Sequence, residues 1–262
     1  IIGGGINGAA IAHIAALNGF KTALLEKHDF ASGTSSKSTK LIHGGLRYLE
    51  NFEFGLVRES LKERFIQLKS APHLVKPLLF VIPLYKGGRR PAWLIKLGVW
   101  FYDYLSGKYL IQKHGSLNKA NLINDVPGIE ERNLSGAVTY YDAQMNDARL
   151  CLENVLSASQ RGADVANYME AKSFLEEKGK ITGVIAYDHI GSNTLAIRAK
   201  RIVCAVGPWT NLFLEKDIRR GVINHAPTVR ITKGIHIIYK DQFAPYALLM
   251  PTQKDHRVFF VI

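Results

Sequence analysis

Hydrophobic and polar positions change period several times along this chain, and each change marks an element. Ile1-Ile2 is an apolar run that breaks at Gly3-Gly4-Gly5. From Ala9 to Leu17 apolar residues follow at helical density, and Gly19 stands where a helix stop belongs. Residues 21–26 return to a continuous apolar run, Ala23-Leu24-Leu25, which reads as a buried strand. Residues 28–50 are polar and rich in Ser, Thr and Gly, and a loop of that length inside a compact domain is usually functional. Over 53–70 the period is that of an amphipathic helix, with Leu56, Leu61, Phe65 and Leu68 on its apolar side.

Residues 72–105 carry Pro72, Pro77, Pro83 and Pro91 among basic side chains at 76, 86, 89, 90 and 96. Pro91 suits the start of a helix bearing Trp93, Leu94, Leu97, Trp100, Phe101 and Leu105. Asp147 is placed to cap a helix that ends at Gly162. Strands are expected at 163–169, 181–187 and 195–206, the last running into the turn Gly207-Pro208, and again at 229–231, 235–239 and 258–262. Strand and helix alternate early and strands cluster late. The expected fold class is therefore α/β: a nucleotide-binding domain interrupted by a second domain with a mixed or antiparallel sheet. The expected parts are 1–70 and 141–215 for the nucleotide-binding domain, and 71–140 and 216–262 for the substrate or cap domain.

Composition narrows the function classes. The 262 residues are 47% hydrophobic and 21% charged, which is globular composition. The formal charge of +12 attracts anions: phosphorylated small molecules, anionic lipid or nucleic acid. No clustered basic stripe sits in a nucleic-acid motif, so nucleic acid is not an expected partner. Cys151 and Cys204 are far apart, with no metal-ligand spacing, and read as buried thiols; no metal is expected. There is no signal-peptide pattern, and the longest apolar stretch, 92–105, is interrupted by Lys96 and Asp103. The chain opens without Met inside one apparent strand and closes inside another, so it reads as a fragment of a longer protein.

Candidate chemistry begins at the glycine turn. Gly3, Gly5 and Gly8 fit G-x-G-x-x-G between a strand and a helix. The first permits the tight turn, the second a close backbone approach to a pyrophosphate, the third close helix–strand packing. The helix N-terminus then offers N–H groups and a positive dipole end to the phosphates. Glu26 ends the second strand, where a carboxylate accepts from both ribose hydroxyls and would repel a 2′-phosphate; Lys27 follows it. The pattern is that of a Rossmann-like unit. It argues against NADP but leaves NAD and FAD open.

The next segment, from Ser32 through Ser35-Ser36-Lys37-Ser38-Thr39-Lys40-Leu41-Ile42-His43-Gly44-Gly45-Leu46-Arg47-Tyr48-Leu49 to Glu50, resembles the FAD-dependent glycerol-3-phosphate dehydrogenases of the aerobic, membrane-associated type. Arg90-Pro91-Ala92-Trp93, Asp147-Ala148-Arg149-Leu150, Gly207-Pro208-Trp209 and Lys233-Gly234-Ile235-His236 extend the similarity over the chain. Ala9-Ala10, Asn18-Gly19 and Ile235 depart from the usual family residues.

The resemblance implies a D-amino-acid-oxidase-like flavoprotein fold with FAD as cofactor. It also implies oxidation of sn-glycerol 3-phosphate to dihydroxyacetone phosphate, with electrons passed to quinone at the cytoplasmic face of the cell membrane. A glycerol-3-phosphate oxidase using oxygen and a non-catalytic flavin-binding module are the alternatives, and a homodimer is left open. Cofactor contacts are then expected from Thr34, Ser35, Ser36, Gly44, Gly45, Leu46, Ala171, Gly207 and Trp209, besides Gly3, Gly5, Gly8, Glu26 and Lys27. Arg47 is the expected clamp for a phosphate dianion, with Tyr48 and Lys233 as further pocket residues. His43 and His236 are the expected proton acceptors.

Overall fold

The structure is a computed structural model that describes residues 1–223, 228–252 and 258–262. In chain order its elements are α1 (Ile6–Leu17), β1 (Ala23–Leu25), β2 (Leu41–Ile42), α2 (Phe54–Ser70), β3 (Val75–Tyr85), α3 (Ala92–Ser106), β4 (Gly115–Leu117), α4 (Lys119–Asp125), β5 (Leu134–Met145), α5 (Asp147–Gln160), β6 (Asp164–Ala166), β7 (Met169–Glu177), β8 (Lys180–Asp188), β9 (Asn193–Arg198), α6 (Thr210–Arg219), β10 (Ala247–Pro251) and β11 (Val258–Val261). They form two compact units. Unit 1 comprises Ile1–Lys40 and Asn146–His236; unit 2 comprises Leu41–Met145 and Ile237–Ile262. One unit thus interrupts the other, as expected. The breaks fall after Lys40, Met145 and His236, where the pattern put them at 70, 140 and 215. Pairing is the reason: Leu41 and Ile42 join β5 as β2, which draws the chain from residue 41 onward into the second unit.

Unit 1 is built on a small parallel layer. β1 pairs in parallel with β6, and Ile2 bridges in parallel to both Leu25 and Cys204. Successive strand residues face opposite sides. Leu24 accordingly packs with α1 and α5, among Ala9, Ala12, Ala16, Cys151, Val155 and Ala158. Three alanines on the inner face of α1 are what let that helix lie close. Leu25 and Ile2 meet the other side, made of Phe174, Val184, Ala186 and Leu214 from the antiparallel β7–β8–β9 sheet and α6.

Unit 2 is a mixed sheet of order β11-β10-β3-β5-β2, with β4 also on β5. Phe80, Ile82 and Leu84 of β3 face Val57, Leu61, Val99 and Tyr102 of α2 and α3. Val81 points the other way, to Leu122 of α4, Val126 at the end of that helix and Leu248 of β10. Each such fully buried aliphatic side chain contributes about 1.5–3 kcal/mol.

Several expectations change. The long strand β5 was not expected, and β3 was not legible because Pro77 and Pro83 argue against a strand. They stand where β10 leaves the second edge of β3 open, since β10 pairs only at Phe80 and Val81. The expected strand 163–169 is two elements, parted by Tyr168 at positive φ (54°). The expected strand 195–206 ends as β9 at Arg198, and Cys204 makes an isolated bridge. No strand forms at 229–231 or 235–239. Those residues are irregular chain, exposed but for half-buried Val229 and with Ile238 at 94%, and among the described residues no strand pairs with them. Asn146, not Asp147, caps α5 by accepting from the Arg149 N–H. On α2 the buried residues are Val57, Leu61 and Arg64, while Leu56 is exposed. On α3 Trp93, Leu94, Leu97 and Trp100 are exposed, and Val99 and Tyr102 are buried. Cys151 is buried, but Cys204 is half-buried.

Candidate functional site

The glycine turn of unit 1 has the close approaches its spacing predicts. A Cβ on Gly8 would lie 1.8 Å from the Gly3 carbonyl oxygen, and one on Gly3 would lie 2.6 Å from that of Ala205. Only glycine lets α1 sit so near the strand end. A Cβ on Gly5 would meet just the Ser35 hydroxyl, at 3.1 Å, so the face of the turn at Gly5 is open. Gly5 caps α1 without a side chain, and the first turn of the helix carries no acidic residue. The Ile6 N–H is held by Ser35 Oγ at 2.9 Å. An open, unneutralised helix N-terminus with a hydroxyl poised over it fits a pyrophosphate.

Glu26 stands beside this turn. One carboxylate oxygen accepts from the Gly4 N–H at 2.7 Å and the other from the His28 N–H at 2.9 Å, which locks the side chain while leaving lone pairs for ribose hydroxyls. Lys27 is exposed beside it. Ala171 lies buried in β7, and that strand starts where the Met169 N–H bonds the Glu26 carbonyl. Thr34, Ser35 and Ser36 form one turn of 3-10 helix. The indole edge of Trp209 would meet a Cβ on Gly33 at 3.1 Å, so the turn Gly207–Trp209 packs against this loop. The loop is further tied by Ser38 and Lys40, which donate to Asp147 at 2.8 and 2.5 Å. Burial works to raise the Asp147 carboxyl. The bonds from Lys40, Ser38 and the Ala148 N–H outweigh it and hold the group below its ordinary value.

Unit 2 contains a cavity of about 310 Å³, lined by His43, Gly45, Leu46, Arg47, Tyr48, Glu50, Asn51, Phe80, Tyr140, Asp142, Leu249 and Phe260. Gly44 is buried against Tyr102 and Leu61, whose hydroxyl and Cδ2 would be 2.3 and 2.4 Å from a Cβ there. Gly45 is left-handed (φ 74°, ψ 49°) and starts the 3-10 turn Leu46–Asn51. That turn carries Arg47 and Tyr48 to the cavity. His43, Arg47 and Tyr48, picked separately by residue type, therefore share one concave surface backed by aromatic and aliphatic side chains. Such a site suits a small anionic ligand. Lys233 and His236 lie in exposed irregular chain of unit 1 and are not among the lining residues.

Asp142, Tyr140, Phe80, Glu50, Asn51, Leu249 and Phe260 were not anticipated. A signal for Asp142 existed. A carboxylate within the apolar run 134–145, and an arginine, Arg64, three residues after Leu61 on a core-facing helix, each need a partner of opposite charge. Among the described residues no group of His, Cys, Asp and Glu could hold a metal ion.

A glycine-cradled helix N-terminus, a carboxylate locked beside it and an interrupted two-unit α/β fold fit a dinucleotide-binding protein. The chain belongs to the FAD dependent oxidoreductase family, whose model matches residues 1–262, and FAD is the cofactor of that family. It is 37% identical over its whole length to aerobic glycerol-3-phosphate dehydrogenase from Staphylococcus aureus (strain USA300), and it covers 47% of that protein. Glycerol-3-phosphate dehydrogenase from Bacillus halodurans, solved with FAD, superposes with a TM-score of 0.69 at 30% identity, over 99% of this chain and 43% of that one. A glycine oxidase from Bacillus cereus shares the fold at 19% identity and a TM-score of 0.57, over 95% of this chain and 64% of that one. The chain thus spans about half the length of the curated relatives it matches.

Proposed function

We propose that the protein oxidises sn-glycerol 3-phosphate to dihydroxyacetone phosphate. The observation that carries this reading is the convergence of Arg47, Tyr48 and His43 on one cavity that Gly45 also lines. In unit 1, Gly3, Gly5, Gly8 and Ser35 hold the pyrophosphate of FAD, with Glu26 on the ribose and Lys27, Thr34, Ser36, Ala171, Gly207 and Trp209 as further contacts. Gly44, Gly45 and Leu46 offer backbone to the flavin. When bound, FAD supplies the hydride acceptor.

In unit 2, Arg47 clamps the phosphate dianion through paired N–H donors, and Tyr48 adds a hydroxyl. His43 takes the proton of the C2 hydroxyl, and the apolar wall of Phe80, Tyr140 and Phe260 keeps water off the C2 carbon. His236 is a second proton acceptor and Lys233 a second cation, by the family resemblance alone.

Anaerobic addition of sn-glycerol 3-phosphate to the full-length protein is expected to bleach the flavin. An absorbance that stays oxidised would reject the assignment. Quinone is the proposed acceptor, so aerobic turnover should release little peroxide. Stoichiometric peroxide would replace it with the oxygen-using oxidase.

We further propose that the protein rests on the cytoplasmic face of the cell membrane. No helix among the described residues is long and apolar enough to cross a membrane. The outer side of α3 exposes Trp93 (65%), Leu94, Leu97, Trp100 and Tyr104, and Arg89, Arg90 and Lys96 lie in or next to that helix. Aromatic and cationic groups together suit an anionic bilayer surface. Full-length protein should co-sediment with phosphatidylglycerol vesicles, and a Trp93→Ser, Trp100→Ser variant should not. Equal sedimentation of both would remove α3 from the docking face.

A further inference from the structure

We infer that Arg64, Asp142 and Tyr102, none of them an expected site residue, are positioning residues for Arg47. The inference rests on reading the unit 2 cavity as the phosphorylated-substrate site. One carboxylate oxygen, Oδ1 of Asp142, accepts from Arg64 Nη1 at 2.6 Å, from the Tyr102 hydroxyl at 2.7 Å and from the Gly44 backbone N–H at 3.1 Å. Arg64 Nη1 also donates to the Tyr141 carbonyl at 2.9 Å, and its Nη2 to that of Tyr109 at 3.3 Å. α2, α3, β5 and the loop before the 3-10 turn therefore meet at a single buried oxygen. All three side chains are at most 2% exposed.

For stability alone this is a poor arrangement. A buried ion pair is often replaceable by packed apolar residues without loss, because desolvation cancels most of its attraction. Here the cost of burial is visible: it pushes the Asp142 carboxyl up, against the pull of Arg64, Tyr102 and Gly44. The arrangement does secure one backbone direction. With the Gly44 N–H aimed at Asp142, the planar trans peptide points the His43 carbonyl the opposite way. Tyr102 also fills the space beside Gly44, where its hydroxyl leaves no room for a Cβ. Gly45 then turns left-handed, and two residues later the chain presents Arg47 to the cavity. Burial first, then Asp142, pushes the Tyr102 phenol well above its ordinary range, so it stays an O–H donor throughout the working pH range.

Tyr102→Phe in the full-length protein removes one hydroxyl and keeps the ring against Tyr140. The dissociation constant for sn-glycerol 3-phosphate should rise about tenfold, ~1.4 kcal/mol, with FAD content unchanged. In an Arg47→Ala background the same substitution should change substrate affinity less than about twofold, while its effect on Tm should be the same in both backgrounds. Equal fold-changes in affinity in the two backgrounds, or no change in affinity beside an intact Arg47, would reduce the network to a core ion pair and overturn the inference. If Arg47→Ala alone leaves substrate affinity untouched, the substrate reading of the cavity fails, and that single variant reveals it separately. Asp142→Asn, which keeps an acceptor oxygen for Gly44 but removes the charge facing Arg64, provides the same cycle should Tyr102→Phe not fold.

Discussion

Arg47→Ala in the full-length protein is expected to weaken sn-glycerol 3-phosphate binding by about 10²-fold or more while leaving FAD in place. A truncated partner of a charged, hydrogen-bonded pair costs ~2–5 kcal/mol. A phosphate dianion in a cavity with an aromatic and aliphatic wall depends on such a pair for most of its recognition. Arg47→Lys should recover only part of the loss, because an ammonium restores the charge without the planar fork. Anaerobic titration followed by flavin absorbance measures both variants. FAD lost from a protein of unchanged substrate affinity would move Arg47 out of the substrate pocket.

The second large effect is expected at the opening turn. Gly8→Ala places a methyl 1.8 Å from the Gly3 carbonyl oxygen, and both are backbone-bound. α1 must retreat from the strand, at a cost of ~1–3 kcal/mol or more in overpacking strain. The helix N-terminus moves with it. Tm should fall, and FAD affinity should drop by roughly 10-fold to 100-fold. Gly5→Ala is the informative contrast. Its methyl meets only the Ser35 hydroxyl at 3.1 Å, so the apoprotein should melt almost as the parent does. Its FAD affinity should nonetheless fall, because the methyl fills the face that the pyrophosphate needs. Differential scanning fluorimetry with and without FAD separates the two losses. A Gly5→Ala protein that binds FAD normally would mean that the pyrophosphate does not approach there.

Local rules were reliable where the physics is local. The glycine spacing, the helix behind it and Glu26 at the strand end all lie within one βαβ half, and each follows from neighbours in sequence. Arg47 was singled out by residue type and family resemblance, and the structure puts it on the lining of the unit 2 cavity, in the turn that follows Gly45. The prolines of β3 hid the central strand of unit 2, because their tolerance depends on where β10 ends. The same limit produced the false strands at 229–231 and 235–239, whose apolar residues have the right composition and no partner edge.

The sequence alone determined a glycine-cradled helix N-terminus, a carboxylate at the adjacent strand end and a Ser/Thr-rich loop leading to an arginine, since each depends on residues a few positions apart. Only the tertiary structure decided that Arg64, Tyr102 and Asp142, 38 to 78 positions apart, meet, with Arg64, Tyr102 and the Gly44 N–H all donating to one Asp142 oxygen. A buried charge must find its counter-charge wherever the packing of α2, α3 and β5 delivers it, and that meeting point is a property of the folded sheet rather than of any stretch of chain.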